Sequence, residues 1–212
     1  MADTYLDNIV NRFIEVVKDL RIKQIICDRD LKYHRERDVH SWLQYAMIEA
    51  GRKCGLLTVP EIKLRFEIPI DFKDFKLGRK GKRHFLRADV AFYDDSRELL
   101  GVSEIFTMDE AHGALPSTKL AEVEHNWLTP KDSLIHMIRH AKEKPRFIIL
   151  VVILLKESPR IWWPTGIDKI DSKLRRSRNY YEVFLPNWKE FLGEIEIQNS
   201  MVILSEDDIE RV

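Results

Sequence analysis

The sequence predicts an α/β domain with a mixed central sheet, and three observations carry that expectation. Two amphipathic helical stretches open the chain, and the hydrophobic period changes to two after Gly55. Further on, Arg146 to Leu155 is an almost unbroken run of apolar, largely β-branched residues, the composition of a strand covered on both faces.

Asp3 to Leu20 carries Leu6, Ile9, Val10, Phe13, Ile14 and Val17 at the three-and-four spacing of a helix with one apolar face. A second helix over His34 to Arg52 shows the stripe Val39, Trp42, Leu43, Ala46, Met47 and Ala50, with Gly51 and Gly55 as expected terminators. Glu61 to Phe72 alternates Ile62, Leu64, Phe66, Ile68, Ile70 and Phe72 against mainly polar partners. That is a strand with one buried face, and Pro69 pushes its far half towards a sheet edge. Arg83 to Tyr93 and Leu99 to Thr107 are the next strands, joined as a hairpin at Asp94-Asp95-Ser96-Arg97. Met108 to Leu128 has weak periodicity and reads as an ordered excursion or a mobile loop. Thr129-Pro130-Lys131-Asp132 then opens a helix with a Thr cap, Pro at the first position and an acidic third residue, and Pro145 closes it. After the apolar run, the expected elements are a strand at Asn179 to Leu185, a capped short helix at Asn187 to Leu192 and a last strand at Met201 to Leu204.

The 212 residues amount to one domain. A 44% hydrophobic content with no long Gly, Ser or Pro run excludes disorder. The longest apolar stretch falls far short of the roughly 18 to 20 residues that cross a bilayer, and the Met1 end lacks a basic-then-apolar signal, so a cytoplasmic protein is expected. Cys27 and Cys54 are too few for a disulfide framework and lack zinc-ligand spacing, and both read as small apolar residues. Lys plus Arg (35) and Asp plus Glu (35) cancel, yet the basic residues fall in runs. One run holds Arg79, Lys80, Lys82 and Arg83, another holds Lys173, Arg175, Arg176 and Arg178, and Ser205 to Glu210 is acidic. Fields are local, screened within about 8 to 10 Å, so such runs are either polyanion contacts or solvated loops.

The chemistry lies on the hairpin. A turn centred between Ser96 and Arg97 sets Asp89 opposite Glu104, with Cβ atoms about 4.5 to 5.5 Å apart on one face. Two carboxylates so placed repel unless a cation lies between them, and hard oxygen donors at that spacing suit Mg2+ or Mn2+. The alternative is a different register on a solvated sheet face. Glu36 adds a third acid, within about 40° of the centre of the stripe set by Val39, Leu43, Met47 and Ala50, whereas Glu49 lies about 100° away. Glu36 can equally be a first-turn acid favoured by the helix dipole.

This arrangement resembles the signature of the PD-(D/E)xK nuclease superfamily, Glu on a first helix, Asp on a strand and Glu-x-Lys on its partner. Glu36-Arg37-Asp38-Val39-His40-Ser41-Trp42-Leu43 is similar to the opening helix of the archaeal Holliday-junction resolvases. Ala88-Asp89-Val90-Ala91-Phe92 is similar to their Pro-Asp-apolar strand, and Gly101-Val102-Ser103-Glu104-Ile105 to their Glu-x-Lys strand. Size and element order are also similar to superfamily members encoded by spindle-shaped viruses, for which the compartment would be the host cytoplasm. The resemblance covers about Glu36 to Leu155. It implies a single restriction-endonuclease-like domain, a mixed central sheet flanked by helices, with its core at about 34–156, an N-terminal helix within 1–30 and a mixed C-terminal extension over 157–212.

The function so implied is metal-dependent hydrolysis of DNA phosphodiesters, on branched DNA such as a four-way junction. Asp89, Glu104 and the Ile105 carbonyl would hold Mg2+ or Mn2+, with Glu36 completing the shell directly or through water. The two basic runs would hold the DNA backbone, and Tyr180 and Tyr181 would stack on bases or serve as core residues. The resolvases also imply a homodimer, for which the Met1 to Leu20 helix is an interface or else packs within its own subunit. Two departures stand out: Ala88 replaces Pro, and Phe106 stands where the family has its lysine. Phe cannot stabilise charge developing on phosphorus. Arg87, opposite Phe106 in the same register, is the first substitute, followed by Lys131, His136 and Lys142. The competing expectation is a catalytically silent DNA-binding protein that keeps the fold.

Overall fold

The computed structural model describes residues 2–21, 36–71, 82–109, 139–155, 193, 195–205 and 209–211. Among them, α1 (Ala2–Asp19) and α2 (Glu36–Lys53) precede six strands: β1 (Leu57–Asp71), β2 (Lys82–Tyr93), β3 (Leu99–Asp109), β4 (Phe147–Leu155), β5 (Gln198–Ser205) and β6 (Ile209–Arg211). The strands form one sheet in sequence order. β1, β2 and β3 are antiparallel neighbours, β3–β4 and β4–β5 are parallel, and β6 returns antiparallel on β5. The sheet is therefore mixed, as expected for an α/β domain. No helix among the described residues is long and apolar enough to cross a membrane.

Both helices pack on one sheet face. Leu6, Ile9, Val10, Phe13, Val16 and Val17 of α1 and Leu43, Ala46, Met47 and Ala50 of α2 are buried with Val90, Phe92, Ile105, Phe147, Ile149 and Val151. The apolar stripe of α1 is thus covered inside its own subunit. Arg211 of β6 reinforces this, reaching Asp7 and, at 3.2 Å, Ser200 Oγ. Trp42 departs from its expected place in the α2 stripe, since it is exposed. Every residue from Phe147 to Ile153 is buried, so β4 is covered on both faces as its composition requires.

Of the two glycines expected to end α2, Gly55 does so. It has φ +79°, and Leu56 N–H donates to the Gly51 carbonyl at 3.1 Å, a left-handed helix stop. Gly51 lies inside the helix for a different reason: a Cβ there would sit 2.3 Å from Thr58 Cγ2 and 2.8 Å from Phe92 Cε1. The missing side chain lets α2 come down on the sheet. The hairpin turn after β2 forms at the expected residues, with Arg97 at φ +66° and Asp94 Oδ1 accepting from the Ser96 hydroxyl (2.7 Å) and the Glu98 N–H (2.9 Å), but it is centred on Ser96, with Tyr93 opposite Leu99 and a bulge between Phe92 and Tyr93. β1 is an edge strand, and its register with β2 shifts between Arg65 and Ile70, the span that holds Pro69. The helix start at Thr129 and the elements expected at 179–185 and 187–192 lie outside the described residues, although Arg139 and His140 are helical.

Candidate active site

The site is built where the β2–β3 pairing ends. Among the described residues that pairing runs from Tyr93↔Leu99 to Val90↔Ser103, and one step further Asp89 stands opposite Glu104. There the main-chain ladder gives way to a side chain: Asp89 Oδ2 accepts the Ile105 N–H at 2.7 Å. A buried backbone donor left unpaired would cost about 1 to 3 kcal/mol, so Asp89 satisfies a need created by the end of the ladder. Ala88 and Val90 on either side are fully buried, while Asp89 and Glu104 are half-buried.

Glu104 hydrogen-bonds the Asp89 carboxyl. Burial pushes the Glu104 carboxyl well above the usual carboxylate range, and the charge of Asp89 and then of Glu61 push the same way. Glu104 therefore keeps a proton that an exposed glutamate would lose, and its O–H donates to Asp89. When both of these half-buried carboxyls are ionised, they call for a positive charge between them.

Helix α2 reaches this pair through two residues one turn apart. His40 Nε2 lies 3.3 Å from Asp89 Oδ1, and Gln44 Nε2 donates to the Asp89 carbonyl at 2.8 Å. The same Gln44 nitrogen is 3.4 Å from Glu61 Oε1. On β1, the pairs Pro60↔Val90 and Ile62↔Ala88 bracket Glu61 and Asp89, so Glu61 faces Asp89 from the other side of β2. Glu61 has φ +54°, a left-handed conformation worth of order 1 to 3 kcal/mol of strain for a residue with a side chain.

Arg87 donates to Glu61 Oε2 at 2.7 Å and is exposed. It is tied to Glu61 rather than poised at the Asp89–Glu104 pair, which departs from its expected role as the substitute cation. Glu36 is the first residue of α2, eight positions before Gln44 on the same helix. Glu49 is instead paired with Arg52 at 3.3 Å. Ile105 is buried beside Glu104. Lys82 is exposed at the start of β2, and Arg83 follows it on that strand. Arg79, Lys80, Lys173, Arg175, Arg176, Arg178, Lys131, His136, Tyr180 and Tyr181 lie outside the described residues. Among the described residues no three His, Cys, Asp or Glu side chains are already gathered as metal ligands.

Three contributors were missed in the sequence: His40, Gln44 and Glu61. The first two carried a signal, because with Glu36 they repeat every four residues along one side of α2. Glu61 carried none, since its place opposite Asp89 depends on a β1–β2 register that crosses a long connection. Comparison with family models, with curated proteins and with solved structures finds no match to this chain.

Proposed function

We propose that the protein is a metal-dependent DNA endonuclease with a restriction-endonuclease-like core of the PD-(D/E)xK kind, acting in the cytoplasm on branched DNA. The carrying observation is the half-buried Asp89–Glu104 pair at the end of the β2–β3 ladder, with Asp89 pinned by the Ile105 N–H. The order of the sheet supports the fold reading, with three antiparallel strands followed by a parallel fourth.

The donor set fits a divalent ion. Asp89 and Glu104 are hard oxygen donors one step across a strand pair, and Mg2+ ordinarily takes one or two carboxylates plus waters. Asp89, Glu104 and the Ile105 carbonyl would hold it, and Glu36 would complete the shell directly or through water. When bound, such an ion polarises a phosphoryl oxygen and makes an ordered water more acidic. The chain's own part is positional. The Ile105 N–H and His40 fix the two oxygens of Asp89, and Gln44 fixes its main chain, so that one carboxylate stays aimed where Glu104 would be the second ligand.

Phe106 in place of the family lysine favours a second reading, a silent DNA-binding protein. Cleavage decides between them. The parent should nick linear, flapped or four-way DNA with Mg2+ or Mn2+, and Asp89→Asn should not, while binding DNA in EDTA as well as the parent or better. Equal cleavage by the two proteins would remove Asp89 from the site, and no cleavage by either would leave the binding protein.

A further inference from the structure

The β1–β2 ribbon carries a basic face that the carboxyl pair does not use. Across the ladder Lys63 pairs with Arg87 and Arg65 with Phe85, and directly opposed residues of antiparallel strands project to the same side. On the outer edge of β1, Ala141 bridges Phe66, and the Lys142 N–H donates to the Arg65 carbonyl at 2.9 Å. That bridge sets Lys142 beside Arg65. Leu64, Phe66 and Ala88 are buried, whereas Lys63, Arg65, Phe85, Arg87 and Lys142 are all exposed. The exposed side chains therefore form two rows, Lys142 with Arg65 and Phe85, then Lys63 with Arg87.

Rows two residues apart on a strand are separated by about 6.5 to 7 Å. The next row along is Glu61 and Asp89, so the basic rows lead into the candidate active site. Arg87 is paired with Glu61 at 2.7 Å, and the Lys63 ammonium lies 5.0 Å from the Phe85 ring centre. Among the described residues Lys63, Arg65 and Lys142 make no ion pair, and Glu67 is the other acid on that side of β1. Cations gathered beside exposed aromatic surface on a chain of zero net charge fit a polyanion with flat apolar groups.

We propose that this face of the ribbon binds the phosphate backbone of a nucleic acid and leads the strand towards Asp89 and Glu104. The direction of that track rests on the nuclease reading; the binding does not. Phe85, 39% exposed, offers a ring to a base or sugar beside phosphates held by Arg65 and Lys142.

The test is fluorescence anisotropy of the full-length protein with labelled duplex and four-way DNA in EDTA, between about 50 and 200 mM salt. The triple variant Lys63→Ser, Arg65→Ser, Lys142→Ser should bind more weakly, with a log–log salt slope shallower by about 0.9 for each lost contact on duplex DNA. A control pair on the helices, Lys18→Ser with Lys53→Ser, should bind as the parent does. All five positions are exposed, and melting curves check that the variants fold. The proposal is overturned if the triple variant keeps the parent's affinity and slope, or if the parent binds no DNA. It is also overturned if the parent binds phosphatidylserine vesicles and DNA does not compete. If the parent binds through this face and cuts nothing, the nuclease reading fails and the surface stands. If DNA is cut and the triple variant binds and cuts as the parent does, the surface fails and the nuclease reading stands.

Discussion

Replacing Glu104 with Gln should stabilise the protein while destroying the site, a combination that a structural glutamate does not give. The reasoning starts from the Asp89–Glu104 contact. Two unit charges about 5 Å apart in an effective dielectric of about 20 repel by roughly 3 kcal/mol. The Asp89 side chain is 15% exposed, so solvent screening leaves an expected gain of about 1 to 2 kcal/mol. Gln keeps the shape and donates its amide N–H to Asp89 without needing a proton. The sign of the pH dependence follows from the raised Glu104 carboxyl. Its favourable contribution is complete below the ordinary glutamate value of about 4.3 and is lost as pH rises through the higher folded value. Parent and variant should therefore unfold alike near pH 4, and a gap should open by about pH 8, where each kcal/mol is worth roughly 2 to 4 °C in a domain of this size. Thermal unfolding at the two pH values reads both numbers. A variant less stable than the parent at the higher pH, or a gap that does not change with pH, would refute the shared-proton account.

Three further outcomes are expected. His40→Ala should weaken Mn2+ binding by about 10- to 100-fold, and His40→Gln, which retains a donor, should recover most of it; equal affinity of all three proteins would leave His40 a bystander. Phe106→Lys places an ammonium two residues beyond Glu104 on β3 and should raise cleavage above the parent's, with Mn2+ the most permissive ion, whereas unchanged or lower activity would show that the missing lysine is not what limits turnover. Gly51→Ala should cost about 1 to 2 kcal/mol, because the overlap with Thr58 and Phe92 outweighs the better helix propensity of alanine, and a more stable variant would show that α2 can lift off the sheet freely.

Much of the core was legible because it depends on period and local turns. The alternation in β1 and β2, the apolar run of β4 and the Asp94–Arg97 turn are short-range signals, but the turn closes with Tyr93 opposite Leu99, and a register shift between Phe92 and Tyr93 restores the register that leads to Asp89 and Glu104. The pairing of the two carboxyls is expected from a turn centred between Ser96 and Arg97, whereas the turn is centred on Ser96 and the bulge makes up the difference. What escaped depends on tertiary placement. Gly51 looks like a helix stop in sequence, and only the approach of Thr58 and Phe92 shows why it is there. Trp42 fits the α2 stripe by spacing but falls on its exposed side. β6, three residues in an acidic stretch, is too short to show a period. Arg87 lies on β2, yet Glu61, brought alongside by β1, captures its guanidinium.

The most direct test of the central claim is calorimetric titration of Mn2+ into the full-length protein and into Asp89→Asn at neutral pH. The account predicts saturable binding to the parent and no saturable binding to Asp89→Asn. Identical isotherms for the two proteins, or saturable binding to neither, would contradict it.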